Sequence, residues 1–165
     1  MTDANVGSGH SPETISIATG SWPVVVVTMP SELTDAGTQK LIAASDALFA
    51  RRQRFAMITD TRRLSRVPGA RERRKLGEWL VRPEQLENQR RWSVGNATVI
   101  DNPLVRGGLQ AVYWVWSAPN PQLVVATVDE AWAFVAAKLA ERGVELPQPL
   151  DQLRLAAERE LAPGR

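Results

Sequence analysis

The amino-acid sequence predicts an α/β chain: a single mostly parallel or mixed five-stranded sheet with four covering helices, plus a C-terminal helix. Two observations predict it. Short β-branched or wholly apolar runs alternate with segments whose apolar residues recur at helical spacing. One such run, Phe55-Ala56-Met57-Ile58, is apolar at every position, which suits a strand covered on both faces. A length of 165 residues is that of one domain with a real core.

The elements follow in order. Thr14-Ile15-Ser16-Ile17-Ala18 alternates polar and apolar residues, and Gly20-Ser21 before Trp22-Pro23 supplies a turn into the β-branched run Val24 to Val27, so a hairpin is expected first. Pro30 cannot donate to a sheet ladder and ends the second strand. From Thr34 or Asp35, either of which can cap a helix, Leu41, Ala44 and Leu48 set a helical stripe that runs to about Arg52. The central strand at 55–58 and a loop from Asp60 to Gly69 lead into a basic helix carrying Leu76, Trp79 and Leu80, which Pro83 stops or kinks.

Ala97 to Ile100 is the fourth expected strand, and Asp101-Asn102-Pro103 opens the third helix with an acidic or amide cap before a first-turn proline. Leu123 to Ala126 is the fifth strand. Thr127-Val128-Asp129-Glu130 has the form of a capping box for a helix that buries Val128, Trp132, Val135 and Leu139. Gly143 fits the left-handed position past its end. The expected organisation is a flexible segment over 1–12, the α/β domain over 13–143, and a Pro-containing linker with a peripheral helix over 144–165.

The same residues exclude several function classes. With no cysteine, disulfides, thiolate nucleophiles and cysteine-ligated metals are ruled out together. The single histidine, His10, sits among Gly7, Gly9 and Pro12, where nothing would fix its geometry. There is no Gly-x-Ser-x-Gly elbow or Walker loop, and Gly107-Gly108 lacks the third glycine of a dinucleotide fingerprint. Asp60, Asp101 and Asp129 each follow a strand and could converge on a magnesium or phosphoryl group, yet Asp101 and Asp129 also read as helix-start acids. The expectation is therefore a chain that is not an enzyme, with no cofactor and no metal. No apolar run reaches the roughly 20 residues of a membrane helix, and the start resembles no leader, so the expected location is the cytoplasm.

Phe55-Ala56-Met57-Ile58-Thr59-Asp60, the basic helix with Glu78-Trp79-Leu80, Asp101 through Gly107, and Val125-Ala126-Thr127 leading into Glu130-Ala131-Trp132 occur in an order that resembles bacterial STAS-like proteins, named for sulfate transporters and anti-sigma factor antagonists. The resemblance spans roughly residues 13–142. It implies a small α/β fold that regulates by binding a protein partner or small ligand, without chemistry of its own. Partner-switching members of that family carry an Asp-Ser-x-Gly-like phosphoacceptor after the central strand, whereas the matching stretch here is Arg66-Val67-Pro68-Gly69. Thr61 and Ser65 are the loop hydroxyls that could accept a phosphate instead; an ordinary polar loop is the plainer reading.

Two surfaces stand out. Net charge is +2, but residues 51–91 hold 13 basic and 5 acidic side chains. Arg62, Arg63, Arg66, Arg71, Arg73 and Arg74 are the candidate ligands of an anionic group, with Arg51, Arg52, Arg54 and Lys75 nearby in sequence. If these define the function, the chain binds a lipid headgroup, nucleotide or nucleic acid; the lack of interleaved aromatics disfavours nucleic acid. The second surface is the segment from Leu104 to Trp116, apolar nearly all round, with Leu104, Arg106, Ala111, Tyr113, Trp114 and Val115 the candidate partner-binding residues. Its outer side needs cover from the tail helix through Leu153, Leu155 and Leu161, or from another chain, including a second copy. The leading expectation is a non-catalytic regulatory or scaffold module acting through protein–protein contact.

Overall fold

The computed structural model describes residues 14–115 and 117–163, of which 109 and 111–115 are described by their backbone. His10, Trp116 and the expected flexible segment lie outside the described residues. The elements are β1 Ser16–Ala18, β2 Val24–Thr28, α1 Asp35–Ala50, β3 Phe55–Asp60, α2 Ala70–Leu80, α3 Pro83–Trp92, β4 Ser93–Val99, α4 Pro103–Val115, β5 Gln122–Val125, α5 Val128–Glu141 and α6 Leu150–Leu161. The strands form one sheet in the order β1-β2-β3-β4-β5. β1 pairs antiparallel to β2, and every other neighbouring pair is parallel, so the expected mixed, mostly parallel five-stranded α/β sheet is what the chain forms.

Each face of the sheet has its own core. On one, Ile15, Val25, Val27 and Phe55 meet Leu48 and Phe49 of α1 and Trp79 of α2, with Leu41, Leu76 and Trp92 at the margin. On the other, Ala18, Val24, Val26, Ala56, Ile58, Ala97, Val99 and Val125 lie under Ala131, Trp132, Val135 and Leu139 of α5 and Leu153 and Ala157 of α6. Successive residues of β2 and β3 thus enter opposite cores, which is why both strands are apolar without alternation. Val24, Val25 and Ala56 are completely buried.

Helix α5 comes close to β4 because residue 95 has no side chain. A Cβ on Gly95 would sit 3.1 Å from Cγ of Lys138 and 3.3 Å from the Phe134 ring. The capping box expected before α5 is complete: Thr127 accepts from the Glu130 N–H at 3.2 Å, and Glu130 accepts from the Thr127 N–H at 3.0 Å. Gly143 takes φ +66°, the left-handed conformation that ends the helix.

Three differences from expectation have clear causes. The basic segment holds two helices, since Pro83 at the start of α3 cannot donate within a continuing α2. Strand β4 begins four residues earlier than expected, at Ser93, through pairing of Ser93 with Phe55 and of Gly95 with Ala56. Helix α6 packs into the α5-side core instead of lying at the periphery; Glu160 accepts from the Gly20 N–H at 2.7 Å and Arg154 pairs with Asp129.

Leu139 is fully buried at the centre of the α5-side core. Leu139→Ala is expected to cost about 2–5 kcal/mol, read in urea unfolding as a lower midpoint with an unchanged slope. Loss below about 0.5 kcal/mol would mean that α5 is not packed as described.

Glu130 has its carboxyl held below the usual carboxylate range, chiefly by the Thr127 hydroxyl, then by the Thr127 N–H, with the Ala126 N–H and the charge of Arg106 assisting and desolvation opposing. A carboxylate depressed in the folded state adds stability at pH values above its unfolded pKa, and that contribution is lost as pH falls through the folded pKa. Glu130→Gln should therefore melt lower than the parent at neutral pH, with the gap closing in acid below the ordinary glutamate range. A gap in thermal midpoint that stays constant with pH would contradict this account of the cap.

Candidate functional site

The carboxyl ends of the parallel strands carry the loop residues singled out above. Asp60 ends β3 and is engaged by Arg62 through its backbone N–H at 3.1 Å, Nε at 3.0 Å and Nη2 at 2.8 Å. This fork closes the loop on itself, and Asp60 and then Asp101 raise the Arg62 pKa further through their charges. Asp129 is drawn away to Arg154 on α6. The three acids therefore do not converge, and among the described residues no three acidic or histidine side chains are placed to hold a metal.

The two loop hydroxyls differ. Thr61 is buried and donates to the Val99 carbonyl at 2.7 Å, while its N–H reaches the same oxygen at 3.0 Å. A phosphate on Thr61 would have to break the hydroxyl's bond to the Val99 carbonyl. Ser65 is exposed, with its hydroxyl donating to the Ser31 carbonyl at 3.0 Å.

Most cations of the arginine-rich segment meet acceptors of their own chain. Arg66 pairs with Glu32, and Arg71 and Lys75 both face Asp35, at 3.6 Å for Arg71. Arg74 pairs with Glu78 at 2.7 Å across one turn of α2. Arg73 donates to the Pro68 carbonyl at 2.7 Å, fastening the entry to its own helix. Arg63 also has a partner. Farther off, Arg51 lies 4.5 Å from the centre of the Trp22 ring and Arg54 donates to the Arg142 carbonyl at 3.1 Å. The structure thus distributes these cations over loop, helix and sheet edge, most of them next to acceptors of the same chain. Exposed pairs of this kind are individually weak, so they arrange the surface more than they stabilise it.

Helix α4 is capped by Asn102, whose Oδ1 accepts from the Leu104 N–H at 2.9 Å. Val105 is buried and Gly108 faces Val67, so this side of the helix is turned inward. Arg106 is turned back too, donating from Nη2 to the Ile100 carbonyl at 2.8 Å. Leu104 points away and is 83% exposed. The side chains of Ala111, Tyr113, Trp114 and Val115 lie outside the described residues. The tail helix is committed elsewhere, with Leu153 in the α5-side core and Leu155 exposed.

A further cluster had no signal in the sequence. Asp46 on α1 accepts at one oxygen, Oδ1, from the Trp79 indole N–H at 3.0 Å and from Nε2 of Gln85 at 2.7 Å. It ties α1, α2 and α3 together. Gln85 is buried, and its Oε1 has no partner, an arrangement that costs about 1–3 kcal/mol in an enclosed site.

Comparison with known proteins gives no matching family model and no matching curated protein. Among solved structures, the chain is similar to the crystal structure of an anti-sigma factor antagonist from Mycobacterium paratuberculosis, with 17% identity, a TM-score of 0.48, and coverage of 76% of this chain and 97% of that one.

Proposed function

We propose that this chain is a non-catalytic regulatory or scaffold module that binds a protein partner, with α4 as the contact element. The observation that carries the reading is Leu104, 83% exposed on the first turn of a helix whose sequence, Leu104 to Val115, is almost entirely apolar. Full burial of one leucine contributes roughly 1.5–3 kcal/mol, so a partner that covers it gains a large share of a specific contact. The resemblance to STAS-like proteins supports the same reading.

The alternative, recognition of an anionic ligand through residues 51–75, has less support. Arg62, Arg66, Arg71, Arg73 and Arg74 already meet acceptors of their own chain, and a ligand would have to displace them. Among the described residues no helix is long and apolar enough to cross a membrane.

The test compares the parent, Leu104→Asp and the combined Arg71→Gln, Arg73→Gln, Arg74→Gln variant. Each is immobilised at equal density, and partner capture from native lysate is quantified beside light scattering of the free chain. Leu104→Asp should reduce the captured partner, or the parent's own dimer, by about tenfold or more, equivalent to about 1.4 kcal/mol. The arginine variant should stay close to the parent. The reverse pattern would establish the anionic reading, and equal capture by all three would remove α4 from the contact.

A further inference from the structure

The cations at the amino ends of the parallel strands are placed differently from those at the carboxyl ends. Arg51 caps the C-terminus of α1, Arg52 takes the left-handed conformation just after it, and Arg54 leads into β3. Arg142 caps the C-terminus of α5. Arg54 joins the two places, because its Nη1 donates to the Arg142 carbonyl at 3.1 Å. All four residues therefore lie within a few residue lengths of one another, and all four are exposed.

Their charge is not matched as it is at the other end. There, Arg62, Arg66, Arg71, Arg74 and Lys75 each face a carboxylate. Among the described residues, Arg51, Arg52, Arg54 and Arg142 form no ion pair. Glu141, beside Arg142, is turned to Lys138 at 2.9 Å, and Glu160 accepts from the Gly20 N–H. Glu145, exposed in the segment after α5, pairs with none of the four. The helix ends of α1 and α5 add roughly half a negative charge each. These dipoles explain why cations collect here, yet with Glu145 they still leave the surface positive.

We infer that this end of the sheet is a second contact surface and takes an acidic peptide segment of a protein partner. Arg52, Arg54 and Arg142 donate to its carboxylates, while Arg51, stacked on Trp22, holds the margin. The planar guanidinium fork matches a carboxylate in shape as well as charge. Two features favour a peptide over nucleic acid. Residues 51–54 span at most about 10 Å, which is short for a track of phosphates. The aromatic ring of this end, Trp22, already lies between Arg51 and Phe55, so it offers no platform for a base. Leu104 follows the opposite, carboxyl end of β4, so this surface is independent of contact through α4.

The test titrates the full chain, labelled with nitrogen-15, with a decaglutamate peptide and, separately, with a single-stranded thymidine DNA of matched charge, at low ionic strength. The peptide should give saturable amide shifts grouped at residues 51–54 and 142–143, and should bind more tightly than the DNA. Arg52→Gln combined with Arg142→Gln keeps the Arg54 bond, whose acceptor is a main-chain carbonyl, so the fold is retained. It should weaken the peptide by about tenfold. Arg71→Gln combined with Arg74→Gln removes the same charge from the carboxyl end and should stay within about twofold of the parent. Leu104→Ser should do the same, which separates this surface from α4. Absence of saturable peptide binding, tighter binding of the DNA, or equal weakening by the two double variants would each overturn the proposal.

Discussion

Two-sided burial of β2 and β3 is the constraint on which the remaining structure depends. Val24 and Val26 enter the α5-side core while Val25 and Val27 enter the α1-side core, and Phe55 and Ala56 divide in the same way. A strand that is wet on neither side needs a helical layer on each face. One layer comes from the connections: right-handed crossovers that step repeatedly toward the next parallel strand place their helices on the same face, and α1, α2 and α3 share one core accordingly. The other face has to be covered by chain that follows the last strand. This is why α5 and α6 are both part of the core, and why Leu153 cannot also cover α4.

The same arrangement determines how the positive charge is used. Loop 61–69 and α2 lie beside the start of α1, whose segment brings Glu32 and Asp35 to Arg66, Arg71 and Lys75. A run that is strongly basic in sequence is therefore partly paired with acids in space. The pairs are exposed and individually weak, so salt or a highly charged partner could exchange them. Helix α4 shows the opposite combination, with its cation, Arg106, turned back onto Ile100 and its leucine turned outward.

Those parts of the fold that rest on apolar patterning were legible in the sequence. The uninterrupted runs at 24–27 and 55–58, the stripe Trp132, Val135, Leu139 and the Thr127–Glu130 box all report local physics, and each lies where the pattern places it. Helix α3 was not legible as a helix of its own, because its inward side is Gln85 and Gln89, and a buried glutamine leaves no trace in hydrophobic periodicity. The early start of β4 was hidden by Ser93, Gly95 and Asn96, which have weak strand preference and are held by their neighbours. Among the site residues, the exposure of Leu104 was left open by the sequence, because the tail helix also carries leucines that could have covered it. The inward turn of Arg106 and the burial of Thr61 were not legible either, since the Ile100 and Val99 carbonyls that hold them are set by strand register.

The strand order also bears on where a ligand can enter. Open α/β sheets bind at the carboxyl edge where the order reverses and adjacent loops part to opposite faces. Here the order runs from β1 to β5 without reversal, so no such crevice is built. The edge is further closed by Arg62 on Asp60 and by Thr61 on Val99. What the layers leave outward is Leu104 on α4, whereas α1 and α3 are joined through Asp46, which Gln85 reaches from α3.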